Sequence, residues 1–141
     1  MSTSPVVSKF PEAGTRTARY SVNAVELNNA AGEHLFFRLT AEGGQPAFAF
    51  GCTHHNVLKA DDFPGHPKEV YEWTWGKKKG EIDAANDLYV LALSFAGIVK
   101  YTLVVELRAS DDSLKLALKD VNFESQKPTD KFRETLRVLP A

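Results

Sequence analysis

From Lys68 to Lys127 the chain contains no proline and only three glycines, Gly76, Gly80 and Gly97. Every residue of this block can therefore donate its N–H to a ladder, as the central strands of a sheet require. Within and around it, apolar side chains recur at every second position, the period that sends successive side chains to opposite faces of a strand. Leu35, Phe37 and Leu39 share one face of 34–40, opposite His34, Arg38 and Thr40. Phe48 and Phe50 share a face of 46–50, and Tyr71, Trp73 and Trp75 line one side of 70–75 against Val70, Glu72 and Thr74. Residues 88–95 and 98–108 form two long apolar runs around Ala96-Gly97, which predicts a hairpin. After the turn 109–113, the alternating Leu114, Leu116 and Leu118 add a third strand, completing a three-stranded antiparallel meander.

Two segments carry mixed signals. Leu114, Ala117, Leu118 and Val121 also fit a helical stripe behind a Ser/Asp cap-like run. In 129–139, Phe132, Leu136 and Leu139 suit a helix, whereas Phe132, Leu136 and Val138 suit a strand. Strands are expected in both, because the strand ending at Arg108 needs a hairpin partner; a short C-terminal helix is the alternative for 129–139. About eight or nine short strands separated by turn signals predict an all-β fold, an antiparallel β-sandwich packed over alternating inward residues. Its expected core is Leu35, Phe37, Leu39, Phe48, Phe50, Trp73, Leu91, Leu93, Phe95, Tyr101, Leu103, Val105 and Leu107.

The length of 141 residues suits one domain, and a composition of 43% hydrophobic and 25% charged residues excludes wholesale disorder. Residues 1–15 read as a polar, flexible arm and 16–141 as a single sandwich domain. The 17 Lys and Arg nearly balance the 18 Asp and Glu in both halves of the chain, the pattern opposite to that of a binder of extended nucleic acid. The N-terminal residues lack the basic and apolar regions of a signal peptide. The longest uncharged apolar stretch, Leu88 to Val99, is 12 residues, short of the about 20 that a spanning helix needs. With Cys52 as the only cysteine, no internal disulfide can form. A cytoplasmic protein without a membrane span is expected, with signal-free secretion as the other route.

Two segments hold residues suited to chemistry. The run 51–67 resists periodic reading and gathers Cys52, His54, His55, Asp61, Asp62 and His66, residue types that ligate zinc and related metals. His54, His55, His66 and Asp61 are the candidate ligands, although Cys-x-His-His is not an established spacing and adjacent histidines on an extended chain point apart. Without a metal, the run is a solvated loop with Asp-Asp and Pro-Gly turns, and Cys52 is a small core residue. The second segment, Tyr71 to Gly80, places Trp75 beside Lys77, Lys78 and Lys79. An exposed Trp75 would stack against a ligand while the lysines hold an anion, so an acidic glycan or a phosphorylated small molecule is the matching ligand. In the competing reading the rings face the core and the lysines cap a hairpin. Nucleophile-elbow, phosphate-loop and zinc-protease patterns are absent from the sequence. The expectation is a non-catalytic binding or interaction module that needs no cofactor, with a small molecule, a glycan or a protein as partner. An oligomeric assembly protein built on exposed strand edges is the alternative, and a metal-dependent enzyme using 51–67 is the third reading.

Overall fold

The computed structural model describes residues 24–52, 55–78, 89–96, 99–124 and 131–140. They form nine strands: β1 (Ala24–Leu27), β2 (His34–Glu42), β3 (Ala47–Cys52), β4 (His55–Lys59), β5 (Val70–Trp75), β6 (Tyr89–Ala96), β7 (Lys100–Arg108), β8 (Leu114–Glu124) and β9 (Lys131–Pro140). Two one-turn 3₁₀ segments, Asn29–Ala31 and Ala60–Asp62, are the helical elements among these residues. One sheet has the order β1-β9-β6-β3-β4 and the other β5-β2-β7-β8. Neighbours are antiparallel except β1 and β9, which run parallel from Ala24↔Arg137 to Leu27↔Pro140. The all-β sandwich and the strand choice for both ambiguous segments are thus correct. The arm at 1–15 lies outside the described residues. Among the described residues no helix is long and apolar enough to cross a membrane.

The alternation read from the sequence becomes the interior. Leu35, Phe37 and Leu39 of β2 and Tyr101, Leu103, Val105 and Leu107 of β7 are all buried, facing Phe48, Phe50, Leu91, Leu93 and Phe95 of the opposite sheet. Trp73 is half-buried, its ring stacked between Phe37 and Phe48 with centroids 5.3 Å from each.

The expected hairpin of 88–95 with 98–108 does not form. β6 pairs with β3 and β9, whereas β7 pairs with β2 and β8, so the chain changes sheets between them. Both strands have a large apolar face that needs an opposing layer, and crossing over sets those faces against each other. Phe95 packs on Tyr101 with centroids 4.6 Å apart. The Tyr101 hydroxyl accepts the Ala47 N–H at 2.9 Å and donates to the Ala47 carbonyl at 3.1 Å, tying β7 to the opposite sheet. Of the expected three-stranded meander, only the hairpin of β7 with β8 forms, and β2 takes the place beside β7 that β6 was expected to fill.

The run 51–67 is also more regular than its sequence suggests. It contains β4, which pairs with β3 through Phe50↔Leu58 and Cys52↔His55, with a register shift between Phe50 and Cys52. An extra residue at such a bulge breaks the period of two and hides the strand from periodic reading.

Candidate functional site

Two polar clusters mark opposite ends of the β5-β2-β7-β8 sheet. At the Leu39 end, Asp61 and His66 meet at 2.9 Å, and the other ring nitrogen of His66 lies 2.8 Å from the hydroxyl of fully buried Tyr71. That hydroxyl also accepts the Lys68 N–H at 2.9 Å. The arrangement is complete with a neutral imidazole that donates to Asp61 and accepts from Tyr71. Of the four candidate metal ligands, the structure brings Asp61 and His66 together. His55 opens β4, and His54 lies outside the described residues. Among the described residues no group of three or more His, Cys, Asp or Glu is placed to hold a metal. Both nitrogens of His66 are engaged, so ligation through either would first break a hydrogen bond. Beside this cluster an open cleft of about 430 Å³ runs between Glu42-Gly43-Gly44 and Pro67-Lys68-Glu69, lined by charges of both signs.

The opposite end carries the lysine tip. Trp75 is only 3% exposed and belongs to the core. The stacking role suggested for it is corrected on that ground: position 75 shares the inward face of β5 with Tyr71 and Trp73, and a covered ring has no face to offer a ligand. Lys77 donates to both carboxylate oxygens of Asp112 at 2.9 Å, and Asp112 also meets Nε2 of His34 at 2.9 Å. The Lys77 hydrogen bond, aided by His34, holds the Asp112 carboxyl below its ordinary value. An acidic ligand at this tip would have to displace Asp112 from Lys77. Lys78 is exposed, and Lys79 lies outside the described residues. Sequence reasoning missed His34 and Asp112, placing the first on a polar strand face and the second in a turn.

The outer face of the same sheet is sealed by its own charges. Phe36 lies beneath the Arg108 guanidinium, 3.6 Å from the ring centroid, with Arg38 at 5.2 Å. Arg38 pairs with Glu72 at 2.7 Å and Arg108 with Glu106 at 2.8 Å.

The edges differ. Among the described residues the exposed large apolar side chains are Val57, Val70 and Leu114, at 55%, 41% and 58%, and all three lie on edge strands, β4, β5 and β8. Short length, lysines and bulges commonly protect an edge. β1 has four residues; β4 has five, with Lys59 and a register shift; β8 carries Lys115 and two register shifts against β7. β5 has none of these devices. Its six residues, Val-Tyr-Glu-Trp-Thr-Trp, pair with β2 without interruption, and its one charge, Glu72, is taken by Arg38 of the same chain. The Ala41 N–H donates to the Glu69 carbonyl at 2.7 Å, which sets the phase of the ladder. By the alternation of antiparallel bonding, Tyr71, Trp73 and Trp75 direct their backbone groups to β2. Val70, Glu72 and Thr74 direct theirs to the open side.

Fold and site together define the class, an all-β sandwich of two sheets in which, among the described residues, β5 is a regular edge strand without lysines or register shifts. No family model, curated protein or solved structure matches the chain.

Proposed function

We propose that the protein is a non-catalytic interaction module that assembles by antiparallel pairing of β5 with β5 of a second copy. The observation that carries this reading is the β5 edge, open among the described residues, regular in register and with its one charge neutralised internally. A two-fold axis through the Trp73 pair sets Glu72 of each copy across from Thr74 of the other, and Val70 across from Gly76. An axis through the Glu72 pair would oppose two carboxylates, which favours the first register. The contact is isologous and closes at two copies. A cytoplasmic setting is part of the proposal, supported by a chain whose one cysteine leaves no internal disulfide to be made.

Thr74→Pro tests the reading. The Thr74 N–H points away from β2, so its removal leaves the internal ladder whole while deleting a donor from the open edge. Size-exclusion chromatography with light scattering should give a dimer for the native chain and a monomer for the variant, with equal circular dichroism. A monomeric native chain, or a variant that stays dimeric, would overturn the proposal.

A further inference from the structure

We infer that His34, Asp112 and Lys77 form a proton-operated latch, closed when His34 carries both ring protons and loosened when it loses one. His34 is completely buried at the start of β2. Its Nδ1 lies 3.0 Å from the Gly32 carbonyl oxygen and its Nε2 2.9 Å from Asp112 Oδ1. A carbonyl can only accept. Asp112 also receives Lys77 on both of its oxygens, so it stands there as a carboxylate and likewise only accepts. Two acceptors on one imidazole are both satisfied only by the imidazolium, since the neutral ring has a single N–H. In the neutral state one bare nitrogen of this fully buried ring faces a lone pair.

The β7–β8 turn fixes where the Asp112 carboxylate stands. Asp112 is the one described non-glycine residue with positive φ, at 69°, in the turn closed by Asp112 N–H to the Ala109 carbonyl and Ala109 N–H to the Ser113 carbonyl. Glycine suits that conformation better. Aspartate is among the few side chains that tolerate it, and here the carboxylate also receives Lys77 and His34. The latch joins three segments that are distant in sequence: the β1–β2 link, the exit from β5 and the β7–β8 turn. Asn29 Nδ2 donates to the Gly76 carbonyl, and Gly32 sits directly against Ser110.

The other charged groups facing this site have partners of their own. On the His34 segment, Glu33 accepts the Asn28 N–H and pairs with Lys115 from β8. On β7, Arg108 is the register partner of His34 and pairs with Glu106. In the turn, Asp111 accepts from the Ser113 hydroxyl and N–H. His34 and Asp112 therefore set the limits. Deprotonation of His34 loosens the latch as pH rises, and protonation of Asp112 loosens it in acid. This conclusion is independent of the partner that β5 takes.

The test is NMR of the full chain from about pH 3 to 9, following the His34 ring nitrogens and the amides of Gly32, Asp112 and Lys77. His34→Gln assigns the ring signals. Both ring nitrogens should carry protons at the acidic side of the His34 step, and the three amides should move with that step. Asp112→Asn keeps the turn-compatible side chain but removes the charge, and should uncouple the amides from the ring. A ring that stays a single neutral tautomer across the range would overturn the latch. So would a ring that titrates while the Asp112 and Lys77 amides stay still, or coupling that survives in Asp112→Asn.

Discussion

Replacing Gly32 by alanine adds one methyl group where the structure leaves no room for it. Gly32 ends the 3₁₀ segment at φ 84°, and a Cβ there would lie 2.5 Å from Ser110 Cβ. The left-handed backbone alone costs an alanine about 1 kcal/mol. Forcing apart the β1–β2 link and the β7–β8 turn adds about 1–3 kcal/mol, the usual range for overpacking. The expected loss is about 2–4 kcal/mol, a large part of the about 5–15 kcal/mol that stabilises a domain of this kind. Gly43→Ala is the control, because Gly43 has nearly the same φ, 78°, but nothing within 4 Å of its Cβ position. It should lose only the backbone contribution of about 1 kcal/mol. Urea unfolding followed by tryptophan fluorescence measures both. With an m-value of about 2 kcal/mol/M, the Gly32→Ala midpoint should fall by about 1–2 M and the Gly43→Ala midpoint by about 0.5 M. Equal midpoints for the two variants would refute the close approach of Gly32 to Ser110, and with it the tight docking of the turn that carries Asp112.

Two further outcomes follow from the core. Leu103 is fully buried on β7, so Leu103→Ala should lower the unfolding free energy by about 2–5 kcal/mol in the same urea assay, without changing strand content. Burial raises the Tyr101 hydroxyl above the ordinary phenol value of about 10, so the neutral phenol is the form the folded state favours. Its contribution is complete below pH 10 and is lost as pH rises through the higher folded value. Alkaline unfolding of Tyr101→Phe should therefore be less steep above that pH, while at neutral pH the variant loses about 1 kcal/mol with the hydrogen bonds to Ala47.

The strands and their inward faces were legible in the sequence because alternation is a local property: a side chain two residues on returns to the same face whatever the partner strand. Leu35-Phe37-Leu39 and Tyr101-Leu103-Val105-Leu107 announce their faces alone, whereas in β8 and β9 the period fitted helix and strand alike and the need for a hairpin partner after Arg108 favoured strands. The extra residue of β4 opposite Phe50 to Cys52 broke that period and concealed the strand. Partnership is not local. Nothing in 88–108 says whether two apolar strands lie side by side or face to face, and only the need to cover both faces sends β6 and β7 into different sheets. The same holds for function. His34 and Asp112 meet across 78 residues, a contact no spacing rule predicts. The alternation of 70–75 favours the core for Trp75, but a platform beside the lysines stays open to the sequence until β2 and the facing sheet close over the ring. The openness of β5 is a property of what lies beside it, and tertiary structure alone decides which strand ends a sheet.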